Sequence, residues 1–252
     1  MDATKTHIAT SDATSITVRG RDLVHDLMGQ HTFTDMIYFL LRGRMPAANQ
    51  ARVLDACLVT LMEHGWTPTS IIARLAIDSV PGQAQVGIAA GLLAVGDVFV
   101  GTMEGAGRLL ADGIGKPDPQ AWCREVVADH RARRAALPGF GHPFHKPEDP
   151  RPPRLFAIAQ EAGCDGRYIA LLQQLSAELD RAAGRHLTIN ATGAIAALLL
   201  EIDLPPQVMR SIATISRAAG LAGHLAEEHD THAARRIWQL AEEHIPYEES
   251  KG

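Results

Sequence analysis

The chain has 252 residues, 46% hydrophobic and 21% charged, a balance that excludes a disordered or fibrous protein. Its 24 Lys and Arg against 29 Asp and Glu leave a formal charge of −5, which speaks against a general nucleic-acid binder or a partner of anionic membranes. No apolar run reaches the ~20 residues of a membrane span, the N-terminal stretch MDATKTHIATSDATS lacks an apolar signal core, and Cys57, Cys123 and Cys164 stand far apart. The expectation is a cytoplasmic protein with free thiols.

Only the N-terminus reads as strand. Ile16 and Val18 alternate with Thr17 and Arg19 before Gly20, the pattern of a short hairpin. Thr32 then caps a helix carrying Phe33, Met36, Ile37, Leu40 and Leu41, with Asp35 at the capping-box position and Gly43 as the stop. A second helix, 48–64, places Val53, Cys57, Leu61 and His64 on one face and ends at Gly65. Thr67-Pro68 opens a third. The fourth, 83–95, is small and apolar all round, which predicts a place at the centre of the domain. Further helices are predicted over 105–115, 119–135, 151–162, 166–184, 191–201, 206–228 and 231–245, with Gly163 a stop and Asp230 a cap. No linker, low-complexity tract or repeat interrupts them. The fold class is all-α.

One irregular stretch stands out: Leu137-Pro-Gly-Phe-Gly-His-Pro-Phe-His-Lys-Pro-Glu-Asp-Pro-Arg151. Gly139 and Gly141 let the backbone approach a ligand or take positive φ, and His142 follows at once. Lys146 and Arg151 come after it, and Arg131, Arg133 and Arg134 before it. Basic groups gathered in an acidic protein suit a phosphate- or carboxylate-bearing ligand. On composition alone, a proline-stiffened loop with solvated charges is the plainer reading. His142-x-x-His145 with Glu148 and Asp149 offers metal ligands on paper, but the prolines and the missing helical HExxH face count against a metal hydrolase. No metal is expected.

Pro138-Gly-Phe-Gly-His142 followed by Asp149-Pro150-Arg151 resembles the signature loop of the citrate synthase superfamily. Other segments agree in order: Arg19-Gly-Arg-Asp-Leu23 with Leu40-Leu-Arg-Gly-Arg-Met-Pro46, Glu63-His64-Gly65, Asn190-Ala-Thr-Gly193, and Ser216-Arg217-Ala-Ala-Gly220. The resemblance runs from about residue 16 to 230. At this length the chain is more similar to the short citryl-CoA lyases and the lyase module of ATP-citrate lyase than to full-length citrate synthases.

The resemblance implies a large helical domain, 1–105 with 201–252, and an inserted small helical domain, 106–200, with a cleft between them that closes by rotation. It also implies a homodimer or higher homo-oligomer. The ligands implied are a coenzyme A thioester, with acetyl-CoA as product, and a di- or tricarboxylate such as oxaloacetate. His142 matches the histidine at the oxygen of the carbon being made or broken, and cleavage asks it to take the hydroxyl proton. Arg151, Arg217 and His64 match the groups that hold substrate carboxylates; Gly139, Phe140, Gly141 and Lys146 match the part of the loop that meets coenzyme A.

Two departures qualify the match. Where full-length synthases carry a second catalytic histidine, this chain reads Gly101-Thr-Met-Glu104, which makes Glu104 a surrogate acid or base. The family's catalytic aspartate falls on Thr192, with Asn190 beside it, and neither is a carboxylate. A hydroxyl does not act as a base near neutral pH, so the substitution weakens acetyl-CoA enolisation more than carbon–carbon cleavage. The reading is a citryl-CoA lyase-like enzyme; the alternatives are a synthase-type condensing enzyme and a non-catalytic acyl-CoA-binding relative.

Overall fold

In the computed structural model, which describes residues 4–96, 98 and 101–250, the N-terminus forms a small antiparallel sheet. Its strands β1 (Ala9–Ser11), β2 (Ile16–Val18) and β3 (Arg21–Asp22) lie in sequence order, Thr10 opposite Thr17 and Val18 opposite Arg21. The expected hairpin is present with one more strand. Asp22 then accepts hydrogen bonds from Val24 and His25 N–H and starts a π-helical turn over Leu23–Leu27.

The rest is helical: α1 (Phe33–Arg42), α2 (Ala48–Met62), α3 (Pro68–Ser79), α4 (Ala84–Leu93), α5 (Thr102–Gly113), α6 (Pro119–Ala132), α7 (Arg151–Glu161), α8 (Arg167–Ala183), α9 (Ala191–Glu201), α10 (Pro206–Thr231) and α11 (Ala233–His244). The Thr32–Asp35 capping box and the left-handed Gly43 bound α1 as the sequence predicts. Proline occupies the first turn of α3, α6, α7 and α10, where its missing N–H costs nothing.

Three expectations need correction. The helix after Ala48 stops at Met62, and Glu63 is extended (φ −142°, ψ 145°), so His64 leaves the helix and sits on the turn before α3. Asp230 does not cap a new helix; α10 runs on to Thr231 and breaks at His232, whose φ of 49° is left-handed. The apolar helix α4 is not central. Only its glycine face is buried: a Cβ at Gly91 would lie 2.6 Å from the Thr69 carbonyl and one at Gly87 2.9 Å from Leu225, so α4 lies flush on α3 and α10. Its other side is open, with Leu93 88% exposed. The centre belongs to α9 instead, where Ala191 and every residue from Gly193 to Leu200 are buried, packed on α2, α5, α7 and α8.

The main core joins Ile37, Tyr38 and Val53 to Trp122, Leu171 and Leu198, and so runs through both of the expected domains. A second, smaller cluster of Ala73, Ile77, Leu221 and Leu225 holds α3 to α10. Beside it lies a buried ion pair. Arg74, 1% exposed, donates to Glu228, 3% exposed, at 2.7 Å, and also pairs with Glu227 and with His224 Nδ1. The second oxygen of Glu228 accepts Ala234 N–H at 2.7 Å and ties down the start of α11. Removing one member of a buried pair strands the other. Glu228→Ala is therefore expected to cost about 3 kcal/mol, read as a lower midpoint in denaturant unfolding.

Candidate active site

The loop between α6 and α7 is sewn to the start of α9. Phe140 bridges Ile189, Gly141 N–H donates to the Thr188 carbonyl at 2.8 Å, and Asn190 N–H donates to the Gly139 carbonyl at 3.0 Å. Asn190 Oδ1 caps α9 through Gly193 N–H, while its Nδ2 donates to the Gly141 carbonyl at 2.9 Å. Gly139 (φ 93°) and Gly141 (φ 75°) adopt the positive φ that the loop requires.

His142 is held by its own loop. Its Nδ1 accepts Phe144 N–H at 3.1 Å and His145 N–H at 3.0 Å, so the neutral ring carries its proton on Nε2. The nitrogen left free in this tautomer is a donor, whereas the sequence reading asks His142 to take a proton. Arg151 Nη2 lies 3.5 Å from that Nε2. Arg151 is aimed by Asp149, fully buried, whose two oxygens accept its Nε at 2.9 Å and Nη2 at 2.7 Å. Asp149 also accepts Ala191 N–H at 3.1 Å. Burial works to raise Asp149, but the Arg151 and Ala191 bonds win and keep its carboxyl below the ordinary range.

His64, on the turn after α2, brings its ring centroid to 5.6 Å from His142 and 5.3 Å from His145. Its Nε2 is 3.1 Å from His145 Nε2. Burial first, and Arg151 next, push the His64 pKa down; burial and then His145 do the same for His142. Glu63 orders this turn, one oxygen accepting His64 N–H at 2.8 Å and Gly65 N–H at 2.6 Å, the other facing His224 Nε2 at 3.0 Å. Arg217, on α10, is 6% exposed. Its Nε and Nη1 make no hydrogen bond among the described residues, and Glu63 is 3.8 Å from Nη1. Burial lowers its pKa.

The three imidazoles have ring nitrogens within 4.8 Å of one another, a spacing that a transition ion can bridge. The donor chemistry suits an anion better: His142 presents N–H rather than a lone pair, and two guanidiniums flank the cluster.

The remaining expected residues are placed less centrally. Thr192 hydrogen-bonds Asn190 Oδ1 at 2.7 Å and Thr102 Oγ1 at 2.9 Å. Glu104 is held by Arg108 at 2.6 Å and Arg210 at 3.3 Å, and the Arg108 bond in particular keeps it ionised. Phe140 packs its ring on the core, and Lys146 is exposed. The sequence reading weighed His145 and Asp149 only as metal ligands, which it set aside, and gave Glu63 no role beyond its place in the Glu63-His64-Gly65 segment. The two-residue offset of Asp149 from Arg151 at a helix start was the available signal for one of them.

The citrate synthase C-terminal domain family matches residues 46–240. The chain belongs to the citrate synthase family. It is similar to a 2-methylcitrate synthase of Shewanella oneidensis, 23% identical over 190 residues that make up 75% of this chain and 50% of that protein. The chain thus spans about half the length of the curated family members it matches. The solved citryl-CoA lyase of Hydrogenobacter thermophilus superposes with a TM-score of 0.87 at 30% identity, covering 98% of this chain and 95% of that one. An ATP citrate lyase of Methanothrix soehngenii, solved with citrate and coenzyme A, shares the fold with a TM-score of 0.81 at 19% identity, covering 99% of this chain and 42% of that one.

A buried guanidinium that has Glu63 only at 3.8 Å and no hydrogen bond at Nε or Nη1 among the described residues is poorly compensated for its lost hydration. Arg217→Met is expected to raise the melting temperature of the protein, by roughly 1 kcal/mol of stability, read by thermal unfolding.

Proposed function

We propose that the chain is a carbon–carbon lyase that cleaves citryl-CoA, or a closely related hydroxyacyl-CoA, into acetyl-CoA and oxaloacetate. The observation that carries this is the convergence of two donors, His142 Nε2 and Arg151 Nη2, 3.5 Å apart, together with the buried Arg217, whose Nε and Nη1 make no hydrogen bond among the described residues. Such a cluster asks for an oxygen-rich anion. Similarity over nearly the full length of both chains to a citryl-CoA lyase favours cleavage over the condensing reaction of the longer relatives.

In this reading Arg151, Arg217 and His64 hold the carboxylates. His142 donates to the tertiary hydroxyl oxygen as it becomes a ketone, stabilising the charge that develops there. The hydroxyl loses one proton and the acetyl-CoA enolate gains one, so cleavage needs a proton carrier rather than a net acid. Water in the cleft, or the ionised Glu104, fits that part. The Gly139–Lys146 segment meets coenzyme A, with Lys146 toward phosphate; Asn190 and Thr192 line the place of the family's acid. Residues 106–200 act as a small domain that opens and closes the cleft. A second reading, a relative that binds acyl-CoA without turnover, is favoured by Thr192, whose hydroxyl replaces a carboxylate.

Association belongs to the same proposal. The open face of α4 (Val86, Leu93) continues into exposed Ile72 and Leu75 of α3. A second copy of the chain, laying the same two helices on these, covers the apolar surface symmetrically. No described helix is long and apolar enough to cross a membrane, and a cytoplasmic, symmetric dimer is the proposed state.

A panel of CoA thioesters including citryl-CoA, assayed for cleavage, decides between the readings: steady acetyl-CoA release supports the lyase, and binding without release supports the non-catalytic relative. Thiol release from acetyl-CoA and oxaloacetate points to a synthase. His142→Ala is expected to lower cleavage ~10²–10⁴-fold, and Glu104→Gln measures the carboxylate's share. Because the His142 pKa lies below the ordinary imidazole value of 6.5, protonation of His142 causes no loss of kcat/KM as pH falls to ~6.5 and lowers it only below that, where protonating Nδ1 breaks its two backbone bonds. Leu93→Glu is expected to shift the protein toward monomer in light scattering.

A further inference from the structure

We infer that His145 completes the carboxylate site with His64: the two imidazoles share one proton in the free protein and take up one more when a di- or tricarboxylate binds. The inference rests on the carboxylate-binding role proposed above. His64 Nε2 and His145 Nε2 are 3.1 Å apart, a distance that places a proton between two nitrogens and forbids one on each. The rings meet edge to face and come from different elements, the turn after α2 and the loop before α7.

Among the described residues the charged neighbours come from several elements, with Lys146 and Glu148 exposed further along the same loop. From the loop, His142 packs its ring 4.4 Å from His145, with Nδ1 occupied, and Asp149 is committed to Arg151. Arg151 comes from α7 and Arg217 from α10. Glu63 turns to the backbone of His64 and Gly65 and to His224 of α10. In the free site two guanidiniums therefore oppose further positive charge, in keeping with the lowered His64 pKa. Two or three carboxylates entering against them reverse the local field.

The proton balance is simple. In the neutral pair one ring donates its Nε2–H to the bare Nε2 of the other, which carries its own proton on Nδ1. The donating ring is left with a bare Nδ1. A proton from solvent fills that nitrogen, one N–H bond forms, and the shared 3.1 Å bond survives in a singly charged pair. The positive charge is thus created when the anion arrives.

Calorimetry on the full chain tests this, with oxaloacetate and its stable mimic malate, both fully ionised at about pH 7.5, in two buffers of different ionisation enthalpy. Close to one proton taken up per site is expected, with affinity tightening up to about tenfold for each pH unit lowered toward neutrality. His145→Gln, with Arg151 and Arg217 intact, is expected to cut the uptake well below one and to flatten the pH dependence. Ligand binding by the wild type without proton uptake overturns the inference alone, as does undiminished uptake in His145→Gln. Failure of the wild type to bind either acid overturns the carboxylate reading as well. If His145→Gln does not fold, the wild-type uptake still decides.

Discussion

A Cβ at position 193 would lie 2.8 Å from Gly139 Cα, so the loop carrying His142 and the first turn of α9 touch backbone to backbone. The rest of the site depends on that closeness. It lets Asn190 reach the Gly141 carbonyl, lets Asp149 accept Ala191 N–H, and so anchors both ends of the His142 loop to a helix that is buried along nearly its whole length. A loop rich in proline and glycine becomes rigid because its polar backbone finds partners on a rigid element, which is the condition for holding an imidazole in one tautomer.

Around that anchored loop the charges are arranged unevenly. Arg151 is fully engaged by the buried Asp149. Arg217 has Glu63 at 3.8 Å but no hydrogen bond at Nε or Nη1 among the described residues, and the ring nitrogens of His64, His142 and His145 cluster within 4.8 Å. In the proposed reading the arrangement is unfavourable in the empty protein and favourable with an anion in place, so that stability and the proposed function pull in opposite directions at Arg217. The contrast with Arg74 is instructive: equally buried, it is matched by Glu227, Glu228 and His224 and belongs to the scaffold.

Much of this was legible from residues in order. The helices follow caps, stops and first-turn prolines, which act within a few positions and so survive any tertiary setting. The positive-φ glycines around His142 and the Asp149-Pro150-Arg151 turn were visible for the same reason. Where the periodicity misled, packing had the last word. The all-apolar α4 looked like a core helix, but its two glycines dock it on α3 and α10 and leave the larger side chains outside. Helical spacing put His64 on a buried face, whereas Glu63, by binding the two following N–H groups, turned the chain off the helix.

The sequence by itself determined the helical class, the irregular loop and the basic and imidazole groups it carries, because these depend on local backbone preference and on side-chain chemistry. Only the tertiary structure decided that His142 offers a proton rather than a lone pair, that Glu104 is tied to two arginines, and that His145 meets His64. Apart from the Glu104–Arg108 pair, which the helical i, i+4 spacing encodes, these contacts join groups 81 or 106 residues apart or on opposite sides of a turn, and no periodicity along the chain encodes which nitrogen faces which.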